Sequence, residues 1–365
     1  MKKVFIAATK QNDGKTTISL GLICNFQHRF KKVGFIKPIG QRYLEEEGIK
    51  VDEDSVLIER VAATCQIQGG LKDMSPIAVE RGFTERYIAN PDKKSITAQI
   101  NSAFRKISKG QELIVIEGTG HAGVGSVFDH SNAYVAKLLG AKVIIISSGG
   151  IGRPIDEIVL NKALFDREGV KVLGVIINKV LPDKFNKIDR LVRKGLKRKG
   201  IDVLGVIPYS PLLSRPTIEQ ILEETHFELL YGKNALENFV SQVIVGAMQV
   251  YDAIRYITDD SLLITPGDRE DIIDAALRCY REKEKGKLKI SGIILTGGIV
   301  PTESIMDALN KANIPVLLSE SDTYAVVSSV HDLNIKIRPT DTAKIDTVIN
   351  LVKEDVDLNA ILKGI

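Results

Sequence analysis

The sequence AATKQNDGKTT (residues 7–17) directly follows a short apolar run at residues 3–8 and leads into an amphipathic stretch. A turn of this kind between a strand and a helix is the context that a phosphate-binding loop requires. Its backbone N–H groups would point at a phosphate from the helix N-terminus, where the helix dipole favours negative charge. The residues predicted to hold a nucleotide here are Asp13, Gly14, Lys15, Thr16 and Thr17.

Three residues of this loop have separate chemical tasks. Gly14 lets the backbone approach the phosphates closely. Lys15 would reach the β- and γ-phosphates, and the Thr16 hydroxyl would bind Mg²⁺. The expected cofactors are therefore ATP, or a close relative, and Mg²⁺. The usual first glycine of the pattern is replaced by Thr9, which leaves open the alternative that the GKT sequence merely begins a helix.

Lys10 lies four residues before Gly14. At this spacing it resembles the signature lysine of the septum-site ATPases and nitrogenase iron proteins. That resemblance implies that Lys10 reaches across a dimer to the nucleotide of the partner subunit. The alternative is an ordinary exposed lysine of the loop.

Short apolar runs rich in Val and Ile alternate with longer helical patterns along the chain. Nearly continuous apolar runs are typical of strands buried on both faces of a parallel sheet. Their alternation with helices indicates right-handed βαβ units. The predicted fold class is therefore α/β, with a doubly wound parallel sheet. Its predicted strands are residues 3–8, 33–37, 113–117, 142–147, 172–178 and 203–207.

The alternation stops at PYSP (residues 208–211) and then restarts. Together with a length of 365 residues, this predicts two domains. Residues 1–214 form the nucleotide-binding domain, and residues 215–365 form a smaller α/β domain. The predicted elements beyond the boundary are a short helix and connector at residues 212–233, strands at 240–245, 261–264, 290–295 and 316–318, and a terminal helix at 343–353.

Composition excludes several function classes. A formal net charge of +4 is too small to indicate a nucleic-acid partner, and the basic stretch at residues 184–199 is typical of a solvated helix. Cys24, Cys65 and Cys279 are too widely spaced for a metal site or a disulfide framework, which fits a reducing compartment. No apolar run matches a signal peptide or a membrane span. A cytoplasmic protein without nucleic-acid or membrane partners is expected.

Five further motifs indicate which class of phosphate-loop protein the chain resembles. They are FIKPIGQR (residues 35–42), VDEDSVL (51–57), IEGTGH (116–121), VIINK (175–179) and GVIPY (205–209). With them the chain resembles the dethiobiotin synthetase and cobyrinic acid a,c-diamide synthase superfamily. It most closely resembles the dethiobiotin-synthetase-like N-terminal domain of long phosphotransacetylases.

The resemblance implies roles for five residues outside the phosphate loop. Lys37 would lie beside the γ-phosphate and an acyl substrate, where a fixed cation stabilises developing negative charge. Asp54 and Glu117 would join Thr16 in holding Mg²⁺, directly or through water. Asn178 would hydrogen-bond the adenine ring, and Pro208 would form a wall of that pocket.

Structural alternatives exist for some of these acidic residues. Asp52 or Asp54 could instead cap the helix that follows. Glu117 ends an apolar strand, and a carboxylate is seldom fully buried unless it is paired. The four glycines within residues 117–125 predict a flexible loop that grips substrate or switches, or else only a tight turn. His121 in this loop could titrate near neutral pH, or be an ordinary polar loop residue.

In the second half, GDR (residues 267–269) and TGG (296–298) resemble a DRTGG domain, which extends the resemblance over nearly the whole chain. Both motifs follow predicted strands, and loops at the carboxyl ends of adjacent strands line one crevice. Arg269 could pair with Asp268 or grip an anion with two hydrogen bonds. The predicted effector site consists of Asp268, Arg269, Thr296, Gly297 and Gly298.

The leading hypothesis is an ATP-dependent enzyme or ATPase with a regulatory DRTGG domain, in which Lys15 and Lys37 act on the phosphate transferred to a carboxylate or carbamate. The first alternative is a nucleotide sensor, without catalysis, that regulates a separately encoded partner such as a phosphotransacetylase. The second is a dimerising switch ATPase that uses Lys10. The resemblance also implies a homodimer or a larger homo-oligomer.

Overall fold

The computed structural model describes residues 1–46, 48–61, 70–281, 289–333 and 335–365. Cys65 lies outside the described residues. The chain forms two compact units: Met1–Ser210 with Ile337–Ile365, and Pro211–Lys336. The chain passes from the first unit into the second between Ser210 and Pro211, close to the boundary expected at residue 215. The division differs from the expected one because residues 337–365 return to the first unit.

The elements are numbered in chain order. The strands are β1 (Lys2–Ala8), β2 (Val33–Ile36), β3 (Ile39–Gly40), β4 (Tyr43–Glu46), β5 (Ile49–Asp52), β6 (Ile77–Ala78), β7 (Leu113–Glu117), β8 (Lys142–Ser148), β9 (Val172–Val180), β10 (Val203–Pro208), β11 (Glu228–Tyr231), β12 (Gln242–Val245), β13 (Ser261–Pro266), β14 (Ile290–Thr296) and β15 (Val316–Leu318). The α-helices are α1 (Lys15–Phe26), α2 (Glu53–Val61), α3 (Leu71–Met74), α4 (Phe83–Ala89), α5 (Lys93–Ser108), α6 (Asn132–Leu138), α7 (Gly152–Arg167), α8 (Phe185–Lys197), α9 (Pro211–Ser214), α10 (Ile218–Thr225), α11 (Val250–Ala253), α12 (Glu270–Arg281), α13 (Glu303–Ala312), α14 (Thr323–His331), α15 (Thr342–Asp355) and α16 (Leu358–Gly364).

The first unit is built on a six-stranded parallel sheet with the order β10-β9-β8-β1-β7-β2. The fold class and all six predicted strands are confirmed, and each strand ends within two residues of its predicted limit. From β1 the chain continues to β2, towards one edge of the sheet. From β7 it crosses to β8, which lies on the opposite flank of β1. Strand order therefore reverses around β1, which places its carboxyl end at the ligand crevice of an open α/β sheet.

The helices α15 and α16 complete this first unit. α15 packs against α1, where a Cβ added to Gly21 would lie 2.4 Å from Val352 Cγ2. Gly21 thus allows two helices to approach closely. Lys2 Nζ donates hydrogen bonds to the carbonyl oxygens of Leu362 and Ile365, both at 2.8 Å, and so neutralises the negative end of α16.

This packing predicts that Gly21→Ala destabilises the protein. The added methyl group must displace Val352, and overpacking of a core of this kind costs about 1 kcal/mol or more. Urea unfolding monitored by circular dichroism measures the change. Gly152→Ala is the matched control, since a Cβ added there would meet no atom of a neighbouring element within 4 Å in the described part of the chain, and a helical alanine is at least as favourable as glycine. Equal stabilities of the two variants would contradict close packing at Gly21.

The second unit has a five-stranded sheet with the order β11-β15-β14-β13-β12, in which β12 to β15 are parallel and β11 is antiparallel. Its strands bury alternate residues on opposite faces: Leu263 and Ile293 pack on one side, and Leu262 and Ile294 on the other. The edge strand β11 falls in the predicted connector, because its sequence ELLY is only partly buried and gives a weak strand signal. None of the helices in the described ranges is long and apolar enough to cross a membrane.

Candidate functional site

The phosphate loop is held together by the carboxylate of Asp13, which is completely buried. Its Oδ2 accepts hydrogen bonds from Thr9 Oγ1 at 2.7 Å and from Lys10 N at 3.0 Å, and its Oδ1 accepts one from Ser148 Oγ at 2.5 Å. Thr9, which stands where the usual pattern has glycine, therefore supplies a hydroxyl that closes the turn. The Asp13 side chain stabilises the loop itself, and the backbone of the loop is left to bind a ligand.

Gly14 adopts a left-handed conformation with φ of +99° at the start of α1. A Cβ at this position would lie 2.3 Å from Asn178 Nδ2. That amide donates a hydrogen bond to Asp13 O at 2.9 Å, and Lys179 Nζ donates one to Asn12 O at 2.8 Å. The end of β9 therefore braces the phosphate loop. Asn178, predicted to contact adenine, lies at the phosphate loop. One of its amide hydrogens is already directed to that loop.

Lys15 begins α1 and is only 9% exposed. Burial lowers the pKa of its ammonium group, while the charge of Glu117 raises it and that of Lys37 lowers it further. Thr16 Oγ1 donates a hydrogen bond to Glu117 Oε1 at 3.0 Å. Thr17 is half-buried on the same turn. The loop thus presents a poorly solvated cation beside the carboxyl end of β7.

Lys37 is buried among three carboxylates at the end of β2. Its Nζ lies 2.8 Å from Asp52 Oδ1 and 3.5 Å from Glu117 Oε1, and it forms a short contact with Asp54 Oδ2. Burial alone lowers the pKa of Lys37, but the charges of Asp54, Asp52 and Glu117 raise it well above its ordinary value. Lys37 therefore stays charged.

Asp52 has a larger part in this cluster than the sequence indicated. Its Oδ1 accepts a hydrogen bond from Asp54 N at 3.0 Å, so Asp52 is the residue that caps α2. The carboxylate of Asp54 is directed to Lys37 instead. Burial raises the pKa of Asp52, against the lowering effect of Lys37. Asp52 therefore both caps α2 and pairs with Lys37. The sign of this in the sequence was the presence of two aspartates, two positions apart, where a strand passes into a helix.

Glu117 is the buried carboxylate whose surroundings best suit a bound cation. Its side chain is fully buried, and its Oε2 has no hydrogen-bond partner within the described part of the chain. Burial raises the pKa of Glu117, against the lowering effects of the charges of Lys37 and Lys15. Ser19 Oγ likewise has no hydrogen-bond partner in the described ranges. A buried carboxylate oxygen without a partner is costly. A divalent cation held beside Thr16 would satisfy it.

The described residues contain no ready-made cluster of three His, Cys, Asp or Glu side chains for a metal. A Mg²⁺ site of the phosphate-loop kind would not need such a cluster, since Mg²⁺ keeps several waters and takes one or two carboxylates plus substrate phosphates. Thr16 and Glu117 are already in contact. Asp54, the third predicted ligand, is in contact with Lys37, whose Nζ also lies 3.5 Å from Glu117 Oε1. The residues present therefore fit the cation.

The glycine-containing loop after β7 is held by hydrogen bonds from two asparagines. Asn132 Nδ2 donates to the carbonyl oxygens of Thr119 at 2.6 Å and His121 at 2.7 Å, and Asn132 Oδ1 accepts a bond from Thr119 N at 3.0 Å. Asn161 Oδ1 accepts a bond from Ala122 N at 2.8 Å. His121 itself is exposed. Two asparagines on neighbouring helices thus set the shape of this loop.

Two other predicted site residues are half-buried. Pro208 ends β10, half-buried and in register with Val180 of the neighbouring strand. Lys10 is also half-buried, and its charge adds to the burial that lowers the pKa of Lys179. The predicted roles of Pro208 at adenine and of Lys10 across a dimer stay predictions.

In the second unit the predicted effector residues hold loops together. Arg269 forms two hydrogen bonds with the carboxylate of Asp271, at 2.9 and 3.0 Å, instead of pairing with Asp268. Its remaining donors reach Gly246 O at 3.2 Å and Met248 O at 3.0 Å. The pairing with Asp268 left open by the sequence is therefore wrong, because the first turn of α12 places Asp271 nearer. Arg269 ties the loop after β12 to the start of α12.

The TGG motif joins two neighbouring loops. Gly297 N and Gly298 N donate hydrogen bonds to Ser321 O and Ser319 O at 2.8 and 2.9 Å. Thr296 Oγ1 lies 2.8 Å from Thr323 Oγ1. These loops do meet at the carboxyl edge of the sheet, as adjacent parallel strands require.

Comparison with known proteins agrees with this architecture. A family model described as an AAA domain matches residues 2–217, and a model of the DRTGG domain matches residues 220–333. The chain is 26% identical to the phosphate acetyltransferase of Nitratidesulfovibrio vulgaris over 97% of this chain and 50% of that protein. It is 27% identical to the phosphate acetyltransferase of Pseudomonas putida over 98% of this chain and 51% of that protein. The chain spans about half the length of the curated relatives it matches.

Solved structures show more distant similarity. The MinC:MinD cell division protein complex of Aquifex aeolicus is 18% identical, with a TM-score of 0.38, over 59% of this chain and 84% of that chain. The CBS and DRTGG domains of Clostridium perfringens pyrophosphatase are 21% identical, with a TM-score of 0.28, over 40% of this chain and 61% of that chain. From the two family matches, the chain belongs to the AAA-domain family of dethiobiotin-synthetase-like phosphate-loop proteins, and it carries a DRTGG domain in its second part.

Proposed function

We propose that the first unit binds Mg-ATP, with the phosphates on residues 9–16 and the cation at Thr16, Asp54 and Glu117. The observation that carries this proposal is Glu117 Oε2, a buried carboxylate oxygen without a partner in the described ranges, next to the phosphate loop. The charge balance supports it as well. Lys37 lies within 4 Å of the carboxylates of Asp52, Asp54 and Glu117, and the charges of Glu117, Asp13 and Asp54 act on Lys15, so that carboxylates outnumber lysines around the site.

The reaction that this site favours is transfer of the γ-phosphate to a carboxylate or carbamate. An oxygen of that group attacks the γ-phosphorus while the bond to the β–γ bridging oxygen breaks, giving an acyl phosphate and ADP. Lys15 and Lys37 hold positive charge at the transferring group, where negative charge is spread over the phosphoryl oxygens. Mg²⁺, when bound, would neutralise charge on the β- and γ-phosphate oxygens.

Lys37 can move within this cluster without losing its charge. Binding of a cation by Asp54 and Glu117 would draw both carboxylates away from Lys37. Asp52, at 2.8 Å from Lys37 Nζ, is held in place by its bond to Asp54 N and remains as a counter-ion. Asp52 therefore keeps the ammonium group protonated and directed towards the phosphates.

Adenine would lie beside the end of β9. Asn178 Nδ2 carries two hydrogens, and its bond to Asp13 O uses one of them. The second hydrogen is available for a ring nitrogen of the base. Half-buried Pro208 would cover one face of the ring.

Glu117→Gln tests the cation site. The substitution keeps the size of the side chain and its acceptor for Thr16, but it removes the negative charge. We expect it to weaken Mg-ATP binding by roughly tenfold, about 1.4 kcal/mol, and to leave binding of ATP in EDTA within about twofold. Isothermal titration in both buffers measures this difference. An equal loss with and without Mg²⁺ would argue against a cation at Glu117.

A second candidate is a nucleotide sensor that regulates a separately encoded partner such as a phosphotransacetylase. It is supported by the relatives named phosphate acetyltransferase, to which nearly all of this chain is similar. Phosphate release that rises with an added carboxylate would indicate an enzyme. Tight ATP binding with negligible turnover, together with a changed rate of an added phosphotransacetylase, would indicate a sensor.

We further propose that the second unit regulates the first, in a homo-oligomer, through a small effector bound near Asp268, Arg269 and residues 296–298. Asp268 and Gly297 are exposed in these loops. A switch ATPase that dimerises through Lys10 is the remaining alternative. ATP-dependent dimerisation that is lost in Lys10→Ala, measured by light scattering, would support it.

A further inference from the structure

The phosphate loop and the loop at residues 118–125 share one bracing side chain, Asn161 on α7. Its Oδ1 accepts the hydrogen bond from Ala122 N at 2.8 Å, and its Nδ2 donates to Thr9 O at 3.4 Å. The same Nδ2 donates to Glu157 O at 2.8 Å, one helical turn earlier. Asn161 is 7% exposed, so a partner lost from this amide would not be readily replaced by water.

The same helix makes a second contact with Thr9. Glu157 Oε2 lies 3.4 Å from the Thr9 hydroxyl, and its Oε1 is paired with Arg153 Nε at 2.5 Å. α7 therefore contacts the phosphate loop through both the side chain and the backbone of Thr9. This is the position at which the loop departs from the usual glycine.

The two loops are thus joined at two places. At their bases Thr16 Oγ1 donates to Glu117 Oε1 at 3.0 Å, and further out Asn161 bonds to Thr9 O and Ala122 N. One planar amide makes both of the outer bonds. A shift of the Thr9 carbonyl must therefore rotate or release the amide, and this changes the bond to Ala122.

We propose that Asn161 is a positioning residue that couples the two loops, so that nucleotide on the phosphate loop changes the order of the 118–125 loop and of exposed His121 within it. The proposal rests on the proposed function, since the nucleotide is the ligand that moves the phosphate loop. Coupling between sites needs an element that both sites share, and Asn161 is hydrogen-bonded to both loops.

Asn132 provides a matched control. It braces the same 118–125 loop through Thr119 and His121, it is similarly buried, and its hydrogen bonds do not involve the phosphate loop in the described structure. Asn132→Ala should loosen one loop, whereas Asn161→Ala should loosen both. Asn161→Asp keeps the acceptor for Ala122 N and loses the donor to Thr9 O, so it should loosen mainly the phosphate loop.

The first measurement is backbone hydrogen exchange of the protein without nucleotide, read by mass spectrometry on peptides that cover residues 7–17 and 118–125. Exchange of both peptides should rise at least tenfold in Asn161→Ala, and only that of 118–125 in Asn132→Ala. If Asn161→Ala leaves the 7–17 peptide unchanged, the coupling is overturned whether or not the protein binds ATP. Asn161→Asp gives the same test should the alanine variant fail to fold.

The second measurement adds Mg-ATP, with binding titrated separately by fluorescence of a labelled ATP analogue. In the unaltered protein and in Asn132→Ala, saturating Mg-ATP should slow exchange of the 118–125 peptide. In Asn161→Ala it should bind within about threefold of normal affinity and leave that peptide unchanged. A nucleotide-induced change that persists in Asn161→Ala overturns the proposal, while absence of binding in the unaltered protein overturns the proposed function instead.

Discussion

Lys37→Met is expected to lower the free energy of unfolding by about 3–5 kcal/mol in the absence of nucleotide, because removing one partner of a buried ion pair leaves uncompensated charge. Lys37 Nζ is within 4 Å of the carboxylates of Asp52, Asp54 and Glu117, and all four side chains are less than 10% exposed. Methionine fills a similar volume, so the loss reports mainly on charge. Urea unfolding at pH 8 measures it.

The effect should depend on pH in a defined direction. Burial already raises the pKa of Asp52 and of Glu117 in the unaltered protein, and loss of the lysine charge should raise both further. The folded variant then holds protons more tightly than the unfolded chain. Its stability falls as pH rises from the unfolded carboxyl pKa through the raised folded values. The destabilisation should therefore be smaller at pH 5 than at pH 8.

Lys50→Met is the control for this comparison. Lys50 also pairs with a carboxylate, that of Glu80 at 3.1 Å, but the two side chains are 38% and 36% exposed. Exposed pairs contribute little, so the expected loss is under about 1 kcal/mol at either pH. A loss of the same small size in Lys37→Met would contradict the buried cluster as described.

Lys15→Met is expected to weaken Mg-ATP binding by roughly a hundredfold, about 3 kcal/mol, because the ammonium group would reach two phosphates with charge-assisted hydrogen bonds. Its effect on stability should have the opposite sign to that of Lys37→Met. Burial lowers the pKa of Lys15, which means that the charged form is disfavoured in the folded protein. Replacement by an apolar side chain of similar length should leave the protein equally stable or more stable.

Two measurements on the same preparation test this pair of effects. Calorimetric titration gives the affinity for Mg-ATP, and urea unfolding without nucleotide gives the stability. Unchanged affinity would refute the phosphate-loop assignment. A large loss of stability would show that Lys15 is held by carboxylates as Lys37 is, and is not a poorly solvated cation kept for a ligand.

The sequence was sufficient to predict those features of the fold and of the site that depend on residues adjacent in the chain. Uninterrupted Val and Ile runs predicted all six strands of the first sheet, because strands buried on both faces need apolar residues at every position. The carboxyl ends of parallel strands meet at one edge, so the sequence could also place Lys15, Lys37 and Glu117 in one region. Their mutual contacts were found only in the structure.

The features missed by the sequence depend on residues far apart in the chain. Asn161 and Ser148 reach the phosphate loop from more than 130 positions away, and a polar residue on an amphipathic helix gives no sign of such a partner. α15 was expected as a helix, but an apolar helix face does not specify which core it covers. Arg269 has Asp268 as its neighbour in sequence, yet the turn of α12 brings Asp271 to it.

The return of residues 337–365 to the first unit has a consequence for synthesis on the ribosome. The face of the phosphate-loop sheet that α15 covers cannot close until the whole second unit, Pro211–Lys336, has been translated. At usual translation speeds the nascent chain therefore exposes that apolar face for roughly ten seconds or more. During this interval the first unit is incomplete, and its uncovered apolar surface can be bound by chaperones or by other nascent chains.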